Sequence, residues 1–165
     1  MVKRKGLILT GGGARAAYQV GVLKAIAELL PRRASNPFPI ICGTSAGALN
    51  AAVLAVNTRS FRKGVRYLDT IWKSFRANDI YRTDILGVLN NTAQWLLGLL
   101  LSAVGINKFR HTSLLDNSPL KELLEGIMPC EKIQDGIDSG NLHALSITAS
   151  GYGSGDSVTF YQGSE

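Results

Sequence analysis

Phe38-Pro39-Ile40-Ile41-Cys42-Gly43-Thr44-Ser45-Ala46-Gly47-Ala48-Leu49-Asn50-Ala51-Ala52-Val53-Leu54-Ala55 is the stretch that decides the fold. Residues 38–42 read as a buried strand, the small and apolar residues from 48 onward as a helix, and Gly43-Thr44-Ser45-Ala46-Gly47 as the sharp turn between them. Side chains larger than hydrogen at 43 and 47 would collide in such a turn, which lifts the Ser45 hydroxyl out of the packing. Ala46 opens a helix whose first N–H groups have no intrahelical partner, so they and the positive end of the helix dipole face any anion formed at the serine. A candidate nucleophile and a charge stabiliser come from one turn.

A second glycine cluster lies upstream. Leu7-Ile8-Leu9-Thr10 reads as a short buried strand, Gly11-Gly12-Gly13 as a turn, and Ala16 to Leu30 as a helix stopped by Pro31. Three glycines expose backbone N–H groups to an anion, either a phosphate or a tetrahedral acyl intermediate. The spacing Gly11-x-Gly13-x-x-Ala16 fits a dinucleotide fingerprint, but that site also needs a carboxylate at the end of the next strand to hold the ribose. Here that strand runs into Gly43-Thr44-Ser45, with no carboxylate. A phosphate-binding P-loop fails as well, because no Gly-Lys-Ser/Thr follows the glycines.

Taken together, Gly11-Gly12-Gly13-Ala14-Arg15 and Gly43-Thr44-Ser45-Ala46-Gly47 resemble the patatin-like phospholipase family, and the resemblance extends over nearly the whole chain. It implies a three-layer α/β/α sandwich with a mostly parallel central sheet, of which residues 1–165 are the N-terminal portion of a single acyl hydrolase domain truncated at its C-terminus. It further implies Ser45 as nucleophile, an oxyanion hole from the N–H groups of Gly12, Gly13 and Ala46, and motif support from Gly11, Arg15, Gly43 and Gly47. No metal or organic cofactor belongs to this chemistry. Ala16 stands where the family often has a glycine.

The family pairs its serine with an aspartate in an Asp-Gly-Gly or Asp-Gly-Ala turn far downstream. The one Asp-Gly here, Asp135-Gly136, is followed by Ile137 and sits in the polar stretch 131–141, which reads as a surface turn. The expected dyad aspartate therefore lies beyond this chain, and the isolated piece is expected to be nearly inactive, since a serine hydroxyl needs an adjacent base. His111 lies among cations and His143 opens a strand; both read as bystanders.

The chain has 165 residues, 45% of them hydrophobic and 18 of them glycine, which suits one α/β core with tight turns. Two cysteines, with Cys42 in the apolar strand, fit a reduced setting. Met1-Val2-Lys3-Arg4-Lys5 is cationic, but the apolar run after it ends at the glycines, too short for an export signal, so the expected location is cytoplasmic. Ile85 to Ile106 is apolar, yet Asn90-Asn91-Thr92-Ala93-Gln94 interrupts it and leaves too little to span a bilayer. It reads either as a buried helix or as a flap giving peripheral membrane contact, with Trp95 at the interface and Arg82, Lys108 and Arg110 on its flanks.

A net charge of +6 attracts anionic lipid or nucleic acid. The basic residues of 59–72, however, alternate with Phe61, Val65, Leu68, Ile71 and Trp72 at helical spacing, which makes them the solvated face of an amphipathic helix. No nucleic-acid module is present. A turn and a helix capped by Ser118 and Pro119 follow, then two strands, Leu142 to Ala149 and Ser157 to Tyr161. The expected function is hydrolysis of lipid or other acyl esters. The competing class is a catalytically silent relative that binds membrane surfaces.

Overall fold

The computed structural model describes residues 5–75, 121, 125–126, 128–151 and 154–164. The chain divides into two compact units, Met1–Ser74 with Met128–Glu165, and Phe75–Ile127. Of the second unit, Lys121, Glu125 and Gly126 are helical, with Lys121 Nζ 3.9 Å from the Glu125 carboxylate one turn on. The apolar stretch Ile85 to Ile106 and His111 lie outside the described residues.

The first unit is built on a four-stranded sheet: β1 (Gly6–Leu9), β2 (Ile40–Thr44), β3 (Ala144–Ser150) and β4 (Ser157–Gly163), in that spatial order. The first three are parallel and β4 returns antiparallel beside β3. Register puts Leu7, Ile41 and Leu145 on one row and Leu9, Gly43 and Ile147 on the next. Successive side chains alternate between faces, so these rows share a face. Helix α2 (Ala46–Ala55) crosses that face and leaves Leu9, Ile41 and Leu145 buried. The opposite face carries Ile8, Cys42, Ser146 and Tyr161 in register, with Ile8 and Tyr161 exposed. Among the described residues the helix layer seen is the one on the α2 face.

Two amphipathic helices pack on α2 and on each other. In α1 (Ala16–Leu29) the buried residues are Ala16, Val20, Leu23 and Ala27, a stripe at three- and four-residue intervals. In α3 (Phe61–Ser74) the expected apolar face is the one buried, through Phe61, Val65, Leu68 and Ile71. Each such side chain contributes about 1.5–3 kcal/mol when taken from water into the core. Phe61 also meets Phe38 edge to face, with ring centres 6.0 Å apart. Arg62 donates to the carbonyls of Glu28 and Leu30 and so satisfies groups left open at the end of α1.

The stretch expected to be a surface turn is helical: α4 (Glu131–Asp138) buries Ile133 and Ile137 one turn apart, and Gly136 packs on Thr58. Tertiary packing of that small apolar face prevails over the turn-like composition. Cys42 and Cys130 are both unpaired.

Asp69 accepts from Lys73 at 2.8 Å and from Lys24 at 3.1 Å, tying α3 to α1 at the surface. The Lys73 and Lys24 hydrogen bonds hold its carboxyl below the ordinary value. A depressed folded-state pKa gives stability that is present above the unfolded pKa, about 4, and lost as pH falls through the folded one. Exposed pairs are screened by salt, so the expected effect is small. Asp69→Asn should lower the melting temperature slightly at pH 7 in low salt, with the difference vanishing at about 1 M salt and fading as pH falls below the unfolded value of about 4. A difference that persists under both conditions would show that the ion pairs are not its source.

Candidate active site

The parallel strands β1 and β2 end on the same edge of the sheet, where ligands of open α/β sheets characteristically bind. Both glycine bends leave from that edge. At the end of β2, Ser45 has φ 54° and ψ −126°, and it is the one non-glycine residue with positive φ among the described residues. An L-residue held there stores about 1–3 kcal/mol of strain, a cost found at functional sites and met by surrounding contacts. Those contacts are visible: the Ser45 N–H donates to the Thr148 carbonyl on β3 at 3.3 Å, and the Ser45 carbonyl accepts from Ala48 at 2.8 Å. The Ser45 side chain is exposed, and its hydroxyl makes no hydrogen bond among the described residues.

Two glycines set the packing of this turn. A Cβ on Gly43 would stand 2.6 Å from Ala51 Cβ and 2.7 Å from Ala48 Cα, so α2 folds directly back onto β2. A Cβ on Gly47 would meet the Leu9 carbonyl oxygen at 2.2 Å and that of Thr10 at 2.5 Å. The end of β1 therefore rests on the first turn of α2, main chain against main chain.

That contact delivers the early bend to the serine. A Cβ on Gly11 would lie 3.1 Å from Ser45 Cβ and 3.7 Å from its Oγ. Gly12 leads into a 3-10 turn, Gly13–Arg15, with Gly13 at φ 55°, a conformation that favours glycine. Arg15 is exposed, and its N–H closes the turn on the Gly12 carbonyl at 3.1 Å. None of the turn and loop bonds among the described residues uses the N–H of Gly12, Gly13 or Ala46. Ala46 is the first residue of α2, so its N–H has no partner within the helix, and the dipole of this ten-residue helix points its positive end at Ser45.

His143 and Asp135 lie elsewhere. Ser45 is level with Thr148, whereas His143 precedes β3; a step of five residues along the strand, roughly 16 Å, lies between these levels. Asp135 belongs to α4, whose Gly136 carbonyl accepts from Leu142 just before β3, at the same remote end. Among the described residues no three of His, Cys, Asp and Glu gather as a metal site requires, and no helix is long and apolar enough to cross a membrane.

The buried Asn50 and the half-buried Gln19 and Trp72 form a polar junction behind the site that the sequence does not single out. Asn50 is fully buried in α2; its side chain donates to Gln19 Oε1 at 2.9 Å and accepts from Trp72 Nε1 at 2.7 Å. A lone amide in an otherwise apolar helix is the signal that could have marked it.

Comparison with known proteins adds a family and one relative. A family model described as patatin-like phospholipase matches residues 7–161. Lysophospholipase nte1 of Aspergillus terreus is 54% identical over 50 residues, which is 30% of this chain and 3% of that protein, so the chain spans a small fraction of its relative's length. No solved structure matches.

Proposed function

Since the chain belongs to the patatin-like phospholipase family, a family of lipid ester hydrolases, we propose that it carries the nucleophile and oxyanion hole of a serine acyl hydrolase. Ser45 Oγ attacks the ester carbonyl carbon while its proton passes to a carboxylate base. The carbonyl oxygen becomes an oxyanion and receives the N–H groups of Gly12, Gly13 and Ala46. Collapse expels the alcohol, which takes the proton back, and leaves an acyl ester on Ser45 that water then hydrolyses. Each oxyanion donor is worth on the order of a hundred- to a thousandfold in rate.

The observation that carries this reading is the approach of the Gly11 bend to Ser45 Oγ, joined to the strained backbone at that serine. The base is then the aspartate of a Ser-Asp dyad, and neither Asp135 nor His143, both at the far end of β3, is placed to serve as it. On this reading residues 1–165 are the N-terminal portion of one acyl hydrolase domain. The substrate is a lipid ester, and the name of the Aspergillus relative favours a lysophospholipid. Peripheral contact with a membrane in the cytoplasm through Ile85 to Ile106 would bring such a substrate within reach.

A fluorophosphonate probe tests the assignment in the full-length protein. Labelling is expected, and Ser45→Ala should abolish it. No labelling, with binding to liposomes intact, would identify the silent membrane-binding relative instead.

A further inference from the structure

We infer that Gln19 and Asn50 are positioning residues that hold the glycine bend against Ser45, through a chain of oriented amides running from α3 to the Thr10 carbonyl. This inference rests on the hydrolase reading and adds to it the parts that set its geometry. The chain begins at Trp72, whose indole N–H donates to Asn50 Oδ1 at 2.7 Å. Asn50 Nδ2 donates to the Ala16 carbonyl at 3.1 Å and to Gln19 Oε1 at 2.9 Å. Gln19 Nε2 donates in turn to the Thr10 carbonyl at 2.7 Å.

The direction of every bond follows from chemistry. Indole nitrogen only donates and a backbone carbonyl only accepts. Asn50 must therefore turn its oxygen to Trp72 and its nitrogen to Ala16, which commits its second N–H to Gln19. Gln19 then presents oxygen to Asn50 and nitrogen to Thr10. Neither amide can flip without setting like against like at both of its ends.

The end point is the part that matters for catalysis. Thr10 is the last residue before Gly11, and its carbonyl also faces the main chain of Gly47 at the first turn of α2. The Gln19 bond spans the base of the glycine bend, from the residue before it to the first turn of the helix after it. Asn50 sits in the same helix that starts at Ser45. The amide chain thus ties the element bearing Gly12 and Gly13 to the element bearing Ser45 and Ala46. Oxyanion donors act only within a few tenths of an ångström of their place.

Gln19 is half-buried on α1, so replacing it spares the core, and two near-isosteric variants of the full-length protein separate positioning from bulk packing. Gln19→Glu keeps the acceptor for Asn50 but points a second oxygen at the Thr10 carbonyl. Gln19→Met removes both bonds at similar volume. Both should lower kcat for a p-nitrophenyl acyl ester by about tenfold or more with KM within about twofold, because misplaced donors weaken the transition state and not substrate binding.

The pH profile is the discriminating measurement. Once protonated, the carboxyl introduced by Gln19→Glu regains an O–H donor for Thr10, so the kcat ratio of that variant to parent should rise as pH falls from about 8 to about 5, while that of Gln19→Met stays flat. Taking the ratio removes the titration of the catalytic base itself. Parental kcat in Gln19→Met, or a Gln19→Glu ratio that does not change with pH, would overturn the inference while leaving Ser45 in its role. Full activity of Ser45→Ala in the same assay would overturn the hydrolase reading and this inference with it. Should either Gln19 variant be unstable, hydrogen exchange at Gly11 to Gly13 in the other carries the test: faster exchange than in the parent is expected, and unchanged exchange refutes.

Discussion

Ester hydrolysis by the full-length protein is expected to fall on the order of ten-thousandfold or more when Ser45 is replaced by Ala, because the covalent route closes and only binding and the oxyanion donors remain. The same position offers a second, independent readout. Ser45 holds φ 54°, where a side chain is strained and glycine is not. Ser45→Gly should be as inactive as Ser45→Ala, yet more stable than it by about 1 kcal/mol, the relief of strain being partly offset by the extra freedom glycine has when unfolded. Chemical denaturation of the two variants measures the difference. Equal midpoints would mean that the turn relaxes around alanine, and near-parental activity in Ser45→Ala would remove the nucleophile from the mechanism.

Replacing Gly47 by Ala is expected to be the most damaging single methyl group in the described part of the chain. Its Cβ would arrive 2.2 Å from the Leu9 oxygen, 2.5 Å from the Thr10 oxygen and 2.6 Å from the Leu9 carbonyl carbon. All three are backbone atoms of another element, so no rotamer change relieves the overlap, and either β1 or α2 must move. The expected loss is about 3 kcal/mol or more, a large part of an ordinary domain's total stability. Any protein that folds should still lose activity, since the shift that admits the methyl group draws the Gly11 bend away from Ser45. Gly21→Ala is the control: the added Cβ meets nothing within 4 Å, and in the middle of α1 alanine should stabilise by about 0.5–1 kcal/mol. Soluble yield and melting temperature distinguish the two. A well-folded, fully active Gly47→Ala protein would refute the close approach of β1 to α2.

Much of this architecture is legible in the residues because it is governed by local periodicity. The face of α3 reads directly from Phe61, Val65, Leu68 and Ile71, and the serine turn reads from its two glycines, since both patterns are short-range. Gly47 shows where such reading ends. Its glycine is foreseeable as a requirement of the turn, but the atoms it must avoid belong to Leu9 and Thr10, which only the tertiary fold brings there. The stretch 131–141 misleads for a related reason: its polar, turn-rich composition hides Ile133 and Ile137, whose spacing becomes decisive once a core is available to receive them. The amide chain is the least legible feature. Asn50 stands out locally as a lone amide in an apolar helix, but Gln19 and Trp72 are far from it in sequence, so nothing local says that the three would meet.

The meeting of β1 with α2 through carbonyl oxygens and a glycine hydrogen has a consequence for how this kind of protein diversifies. The close approach itself is between main-chain atoms that every sequence possesses, so, apart from Gly47 and the amide chain of Gln19 and Asn50, it survives replacement of most neighbouring side chains. Selection is then free to remould the walls that receive an acyl tail without retuning the chemistry at its centre.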